Sequence, residues 1–310
     1  MADSGIFTNI FTLVDDSIVK VVVEKSGVFI TVLQPLFLSC FTVYLFYLLI
    51  SYWTGNLEDI AIDLFKRAMS WLVILTFTLN ISSYNEFVVP LVMNFGDFLS
   101  QKFSGGGSTI SGSLDDLASI ILDGMQATLE ESSGLAGTFT AVLTVILIAV
   151  ASIIFLIISA GYILLAKIFL GMLVIIGPIF IGLALFPSTR QYFSAWLNQV
   201  VNYTLLTLFI SVMMAIFIKF MVGAFGTGYV DLARGFNIAI GAGIFYVVLL
   251  KLPELASGLA GGISANGFMQ AGRTAKSFMP KGKQDSKDKD KGGKGGSITP
   301  ENQGLKKETA

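Results

Sequence analysis

The sequence contains no histidine, and Cys40 is its only cysteine. An intrachain disulfide, a Cys/His zinc site, haem attachment and histidine acid–base catalysis are therefore excluded. Charge is scarce as well: Asp, Glu, Lys and Arg make up 13% of the 310 residues, against a hydrophobic fraction of 54%, where soluble domains carry roughly a quarter charged residues. Basic and acidic residues nearly cancel, 20 to 21, so net charge gives no footing for a nucleic-acid surface. The opening residues, MADSGIFTNIF, lack the positive segment of a cleavable signal, and insertion is expected to rely on internal spans. No GxxxxGK[ST] phosphate loop occurs, so energy must come from elsewhere. These absences leave no catalytic residue, no cofactor site and no metal site to nominate. They point to an all-α polytopic membrane protein.

What is present is a series of apolar runs. Residues 1–25 form an amphipathic segment, with Ile6, Phe7, Ile10, Phe11, Val14 and Ile18 at helical spacing and Asp15, Asp16 and Lys20 elsewhere on the wheel. It carries too many charges to span and reads as an interfacial helix or a helix packed on a partner. The stretch 28–50 holds 23 uncharged residues, about 34 Å of helix, enough to cross a hydrocarbon core of about 30 Å. Gln34 and Pro35 suggest a bend in it, and Tyr52 and Trp53 are placed as interfacial anchors. A second span is expected at 68–81, so that 26–85 holds two crossings.

From residue 86 to 131 there are seven acidic residues against the single Lys102, with a flexible SGGGSTISGS insert. The region 86–134 reads as an aqueous acidic loop. Within it Ser113 is a candidate cap for a helix placing Leu114, Leu117, Ile121 and Met125 on one face. That face either folds back on the protein or docks an extracytoplasmic partner. Residues 132–189 contain one charge, Lys167, in 58 positions. Two crossings are expected there, 137–165 and 168–187, with a hairpin near Lys167. Gly177-Pro178 lies inside the second, where proline removes a donor, predicting a structural kink, a hinge or a pore-lining break whose freed carbonyls face protein or water. Arg190, Tyr192 and Trp196 read as an interfacial belt before a span at 197–218. Asn198 and Asn202 share a face of that span, for interhelical bonding or a water path. The run 236–250 is 15 residues, about 22 Å, too short to cross unaided. Three spans and this segment thus fill 135–251, followed by a small-residue cytoplasmic segment at 252–280. A tail at 281–310, glycine-rich and of mixed charge, is expected to be disordered.

Ten Lys/Arg fall in 252–310 and one in 86–131, which puts the tail inside and the acidic loop outside. With 236–250 re-entrant or interfacial, about five spans result and the N-terminus is outside. Lys66, Arg67, Lys167, Lys219, Arg234 and Lys251 then join the tail, making 16 of 20 basic residues cytoplasmic.

The stretch KIFLGMLVIIGPIFIGLALFPSTRQYFSAWLNQVVNYTL, 167–205, resembles the signature region of the TrbL family, polytopic inner-membrane components of type IV secretion and conjugation machines. Gly177-Pro178, Phe186-Pro187, Thr189-Arg190, Phe193 and Trp196 carry the likeness, with LPELASGLAGG at 252–262 matching the family's small-residue segment. The resemblance implies a structural platform or channel subunit supporting pilus assembly and passage of DNA or protein. It implies homo-oligomers in a phospholipid membrane, and contacts with pilin, the minor pilus-tip subunit and the bitopic and ATPase components. A self-contained transporter or channel is the competing reading, suggested by the Gly177-Pro178 break and the Asn198/Asn202 amides.

Overall fold

The computed structural model describes residues 5–53, 57–103, 109–226 and 230–277, with side chains described up to Gly261 except at 57–61. Residues 1–269 form one compact unit and 270–310 a second, which enters the description only as the end of the last helix. The described residues fold into helices: α1 (Ile6–Tyr52), α2 (Leu57–Leu79), α3 (Ile81–Ser83), a π turn (Tyr84–Val88), α4 (Val89–Phe103), α5 (Ile110–Glu130), α6 (Gly134–Leu183), α7 (Arg190–Phe225) and α8 (Leu232–Ser277). The all-α polytopic class is as expected. Four helices are long and apolar enough to cross a membrane, and a bent pair brings the count to five.

The identity of the spans differs from expectation. α6 is one unbroken helix of 50 residues where a hairpin at Lys167 was predicted. A tight turn needs residues such as Gly, Pro or Asn, and Ala166-Lys167-Ile168 offers none; Lys167 instead stays helical and finds carboxylates inside the protein. α1 likewise fuses the amphipathic segment and the first span into 47 continuous residues, with Pro35 inside it. The run 236–250 lies within the candidate span Leu232–Gly261, long enough to cross because helix continues on both sides of the apolar stretch. The tail at 281–310 lies outside the described residues.

The predicted second span ends at Asn80, whose side chain accepts hydrogen bonds from the backbone of Ser82 and Ser83 and so caps a new helix. Ile62–Leu79 and Ile81–Phe103 meet at 86°. Much of the expected acidic loop is therefore packed helix: Val89, Val92 and Met93 belong to a core with Leu170, Val174, Trp196 and Val200. Helix directions follow from the contacts. Asp15 of α1 reaches Lys167 of α6, and Tyr44, further along α1, stacks edge-on against Phe186, so α1 and α6 run parallel. Phe169 stacks on Tyr203 and Phe155 meets Phe217 with tilted rings, making α7 antiparallel to α6. Phe245 of α8 meets Phe217 while Gly241 faces Phe220, returning α8 to the direction of α6. The bent pair starts beside the Tyr52 end of α1, with Trp71 against Phe41. It finishes beside the opposite end, where Asp97 meets Lys167, so it progresses along α1 as a broken span.

Candidate functional site

Lys167 is the one charged residue of α6 and is 7% exposed. Its Nζ donates to Asp15 Oδ2 at 2.6 Å and to Asp97 Oδ2 at 3.0 Å, and it stands 5.7 Å from the centre of the Phe11 ring. Three helices thus share one charge cluster. The two carboxylates are about a third exposed and open onto a cavity of about 200 Å³ edged by Thr8, Thr12, Gln101 and Ser111. One cation against two anions leaves a polar, net-negative pocket, stable because its outer side stays open to solvent or a partner. Next to it, Asp115 of α5 accepts from the backbone amides of Phe7 and Thr8, each at 2.9 Å, and from the Thr8 hydroxyl at 2.6 Å. Gly5, the cap residue of α1, supplies no side chain; a carboxylate from another helix satisfies these orphan donors and the helix dipole instead.

A second node forms around Pro178. Without an N–H, Pro178 cannot bond the carbonyl four residues earlier, that of Val174. The Tyr84 hydroxyl donates to that oxygen at 2.5 Å, and Trp196 Nε1 donates to the neighbouring Leu173 carbonyl at 2.9 Å. Tyr84 is fully buried. A Cβ on Gly177 would stand 2.2 Å from the Tyr84 hydroxyl and 3.2 Å from the Trp196 ring, so glycine is required for both donors to reach. The carbonyl that Pro178 frees thus faces a protein donor. Gly177 and Pro178 are buried within the continuous helix α6.

The remaining nominated residues divide. Thr189 donates its hydroxyl to the Leu183 carbonyl at 2.7 Å, closing the end of α6; Phe186 packs on Tyr44, so Phe186, Pro187, Thr189 and Arg190 build the α6–α7 turn. Trp196 is 5% exposed and bonded inward, which corrects its reading as a belt anchor. Asn198 is half-buried, and Asn202 Oδ1 is buried with no hydrogen-bond partner among the described residues. Leu114, Leu117 and Ile121 are 0%, 0% and 3% exposed, packed in the protein's own core with Met125 against it. This is the face of α5 turned toward the protein's own core. α5 is capped by Thr109, whose hydroxyl accepts from the Gly112 amide at 3.1 Å, four residues before the expected Ser113. The outward side of α5 instead presents Asp116, Asp123 and Glu130 seven residues apart, one stripe of an α-helix.

Sequence reasoning missed Asp15, Asp97 and Tyr84. A usable signal existed for the first two, since a lone lysine in a 58-residue apolar stretch demands a buried partner. Among the described residues no three His, Cys, Asp or Glu side chains are grouped to hold a metal.

The sequence model of TrbL/VirB6 plasmid conjugal transfer proteins matches residues 41–252, from the last quarter of α1 through most of the apolar part of α8. The chain belongs to the TrbL/VirB6 family. It is thus a polytopic inner-membrane component of a type IV secretion system. Relatives named type IV secretion system protein VirB6 include those of Bartonella quintana (strain Toulouse), 30% identical, and Bartonella henselae (strain ATCC 49882 / DSM 28221 / CCUG 30454 / Houston 1), 31% identical, each over 98 residues. Those alignments span 31% of this chain and 30% of each relative. The matched range contains Lys167, Asp97, Tyr84 and the whole α6–α7 turn, while Asp15 lies ahead of it.

Proposed function

We propose that this TrbL/VirB6 protein is a structural platform subunit of the secretion machine, whose apolar flanks hold further copies of itself and the pilin helices during pilus assembly and substrate passage. One observation carries this: α6 exposes more apolar length than a bilayer covers. Its 50 residues extend about 75 Å, whereas a helix tilted by about 40° keeps only about 26 residues within hydrocarbon about 30 Å thick. Yet Leu135, Phe139, Ile146, Ile153, Ile157 and Met172 are each at least half exposed. Protein must cover what lipid does not. Photocrosslinking residues placed at Phe139, Ile146 and Ile157 are expected to yield adducts with pilin or with a second copy in cells carrying the machine. Adducts with lipid alone at all three positions would overturn the platform reading.

In this reading the end bearing Lys66, Arg67 and Arg190 is cytoplasmic, as the basic C-terminal sequence is, and the end bearing α5 is periplasmic, together with the N-terminus. The tip subunit then meets the acidic outer stripe of α5. The bitopic and ATPase components supply the energy. A second reading, a self-contained ion or solute path, is favoured by one feature, the Asp15–Lys167–Asp97 cluster open to a polar cavity. Flux through the purified protein in liposomes without partners would support it; sealed liposomes would remove it.

A further inference from the structure

Two cavities flank the α6–α7 turn and share Tyr44, Arg67 and Pro187 as their common wall. The larger, about 870 Å³, is apolar, lined by Cys40, Tyr44, Tyr47, Leu48, Phe186 and Pro187 among others. The smaller, about 180 Å³, holds Lys66, Arg67, Ser70 and Arg190. The geometry points to a binding site for an anionic phospholipid, its phosphate held by Lys66, Arg67 and Arg190 and an acyl chain lying in the larger cavity.

The charges are arranged for an incoming anion. Arg67 gives its Nε to Asp63 at 2.8 Å and its Nη1 to the Tyr44 hydroxyl at 3.3 Å, and Tyr52 donates to the same Asp63 oxygen. That network fixes the guanidinium at the wall between the cavities. Asp63 is thereby engaged, while Lys66 and Arg190 pair with no carboxylate among the described residues. Glu58 and Asp59 precede Lys66 by about two helical turns. Basic pockets between spans at the cytoplasmic side are suited to lipid phosphates. Exposed Trp53, Tyr47 and Tyr192 around this end place it at the depth of the headgroups. The larger cavity has the size of sites that enclose ligands bigger than a phosphate ion.

Cys40, the only cysteine, is exposed and lines the larger cavity, so it reports occupancy. Full-length protein is placed in nanodiscs of phosphatidylcholine alone or with phosphatidylglycerol, and in detergent with inorganic phosphate. Labelling of Cys40 by a membrane-permeant maleimide is the readout, with native mass spectrometry counting retained lipid. Phosphatidylglycerol is expected to slow labelling at least threefold relative to phosphatidylcholine and to be retained by the protein; inorganic phosphate is expected to leave the rate unchanged. The double variant Lys66→Gln/Arg190→Gln, both exposed side chains, should lose that protection while keeping its melting temperature. Equal rates in the two lipids, or unchanged protection in the variant, overturn the proposal. Protection by inorganic phosphate alone overturns the acyl-chain half of it.

Discussion

At the scale of single residues, the carbonyl of Val174 decides why a proline can sit inside a buried helix. Pro178 takes its donor away and Tyr84 returns one from another helix. Tyr84→Phe should therefore cost about 1–3 kcal/mol, the penalty of a buried unsatisfied carbonyl. Adding Pro178→Ala restores an N–H, so the double variant should recover part of the loss; thermal unfolding of all four species in detergent measures the coupling. Additive losses would show that the two sites do not act on one oxygen. The Lys167 cluster follows a different rule. Lys167→Met strands Asp15 and Asp97 in their pocket, and because those carboxylates are about a third exposed the cost should fall between surface and buried pairs, about 1–3 kcal/mol. Lys167→Met with Asp15→Asn and Asp97→Asn should melt above the single variant.

At the scale of elements, α5 separates two surfaces that look equally available in one dimension. Leu117→Asp buries a charge in the main core and should unfold the α5 region, giving low yield and a melting temperature several degrees down. Reversal of the outer stripe by Asp116→Lys, Asp123→Lys and Glu130→Lys touches exposed positions and should leave melting unchanged. If the stripe meets a partner, the same variant should lower co-purification of the tip subunit; retention at the wild-type level would dismiss that contact. The α6–α7 turn is another element whose logic is local: Thr189 closes Leu183, and Trp196 ties α7 back onto α6. Residues that carry the sequence resemblance to the family are thus among those that hold these two helices in a hairpin.

At the scale of the whole molecule, the continuity of α6 changes the topology to be expected in a membrane. A hairpin at Lys167 would put residue 190 outside and residue 228 inside. In the proposed orientation, one crossing by α6 followed by α7 and α8 leaves Arg190 on the cytoplasmic side and the start of α8 on the side of α5. The same proposal keeps a cytoplasmic C-terminus, since 236–250 lies within the candidate span Leu232–Gly261. Reporter fusions after residues 190 and 228 should accordingly read cytoplasmic and exported, with 105 exported and 300 cytoplasmic. An exported signal at 190 together with a cytoplasmic one at 228 would restore the hairpin.

The sequence by itself determined the solvent, the class and the family. Charge depletion and apolar length exclude a soluble fold because too few polar groups remain to face water, and the Gly177-Pro178 to Trp196 pattern is local enough to read directly. Only the tertiary structure decided which runs are separate helices. Lys167 reads as a turn when its surroundings are unknown, because an isolated ammonium in hydrocarbon is costly; Asp15 and Asp97, 152 and 70 residues away in the chain, remove that cost, and the lone lysine signals that a partner is needed without saying which residues supply it. The same holds for Tyr84 at Val174 and for the buried face of α5. Each is a pairing between distant segments, fixed by the requirement that buried polar groups and apolar faces find partners inside the fold.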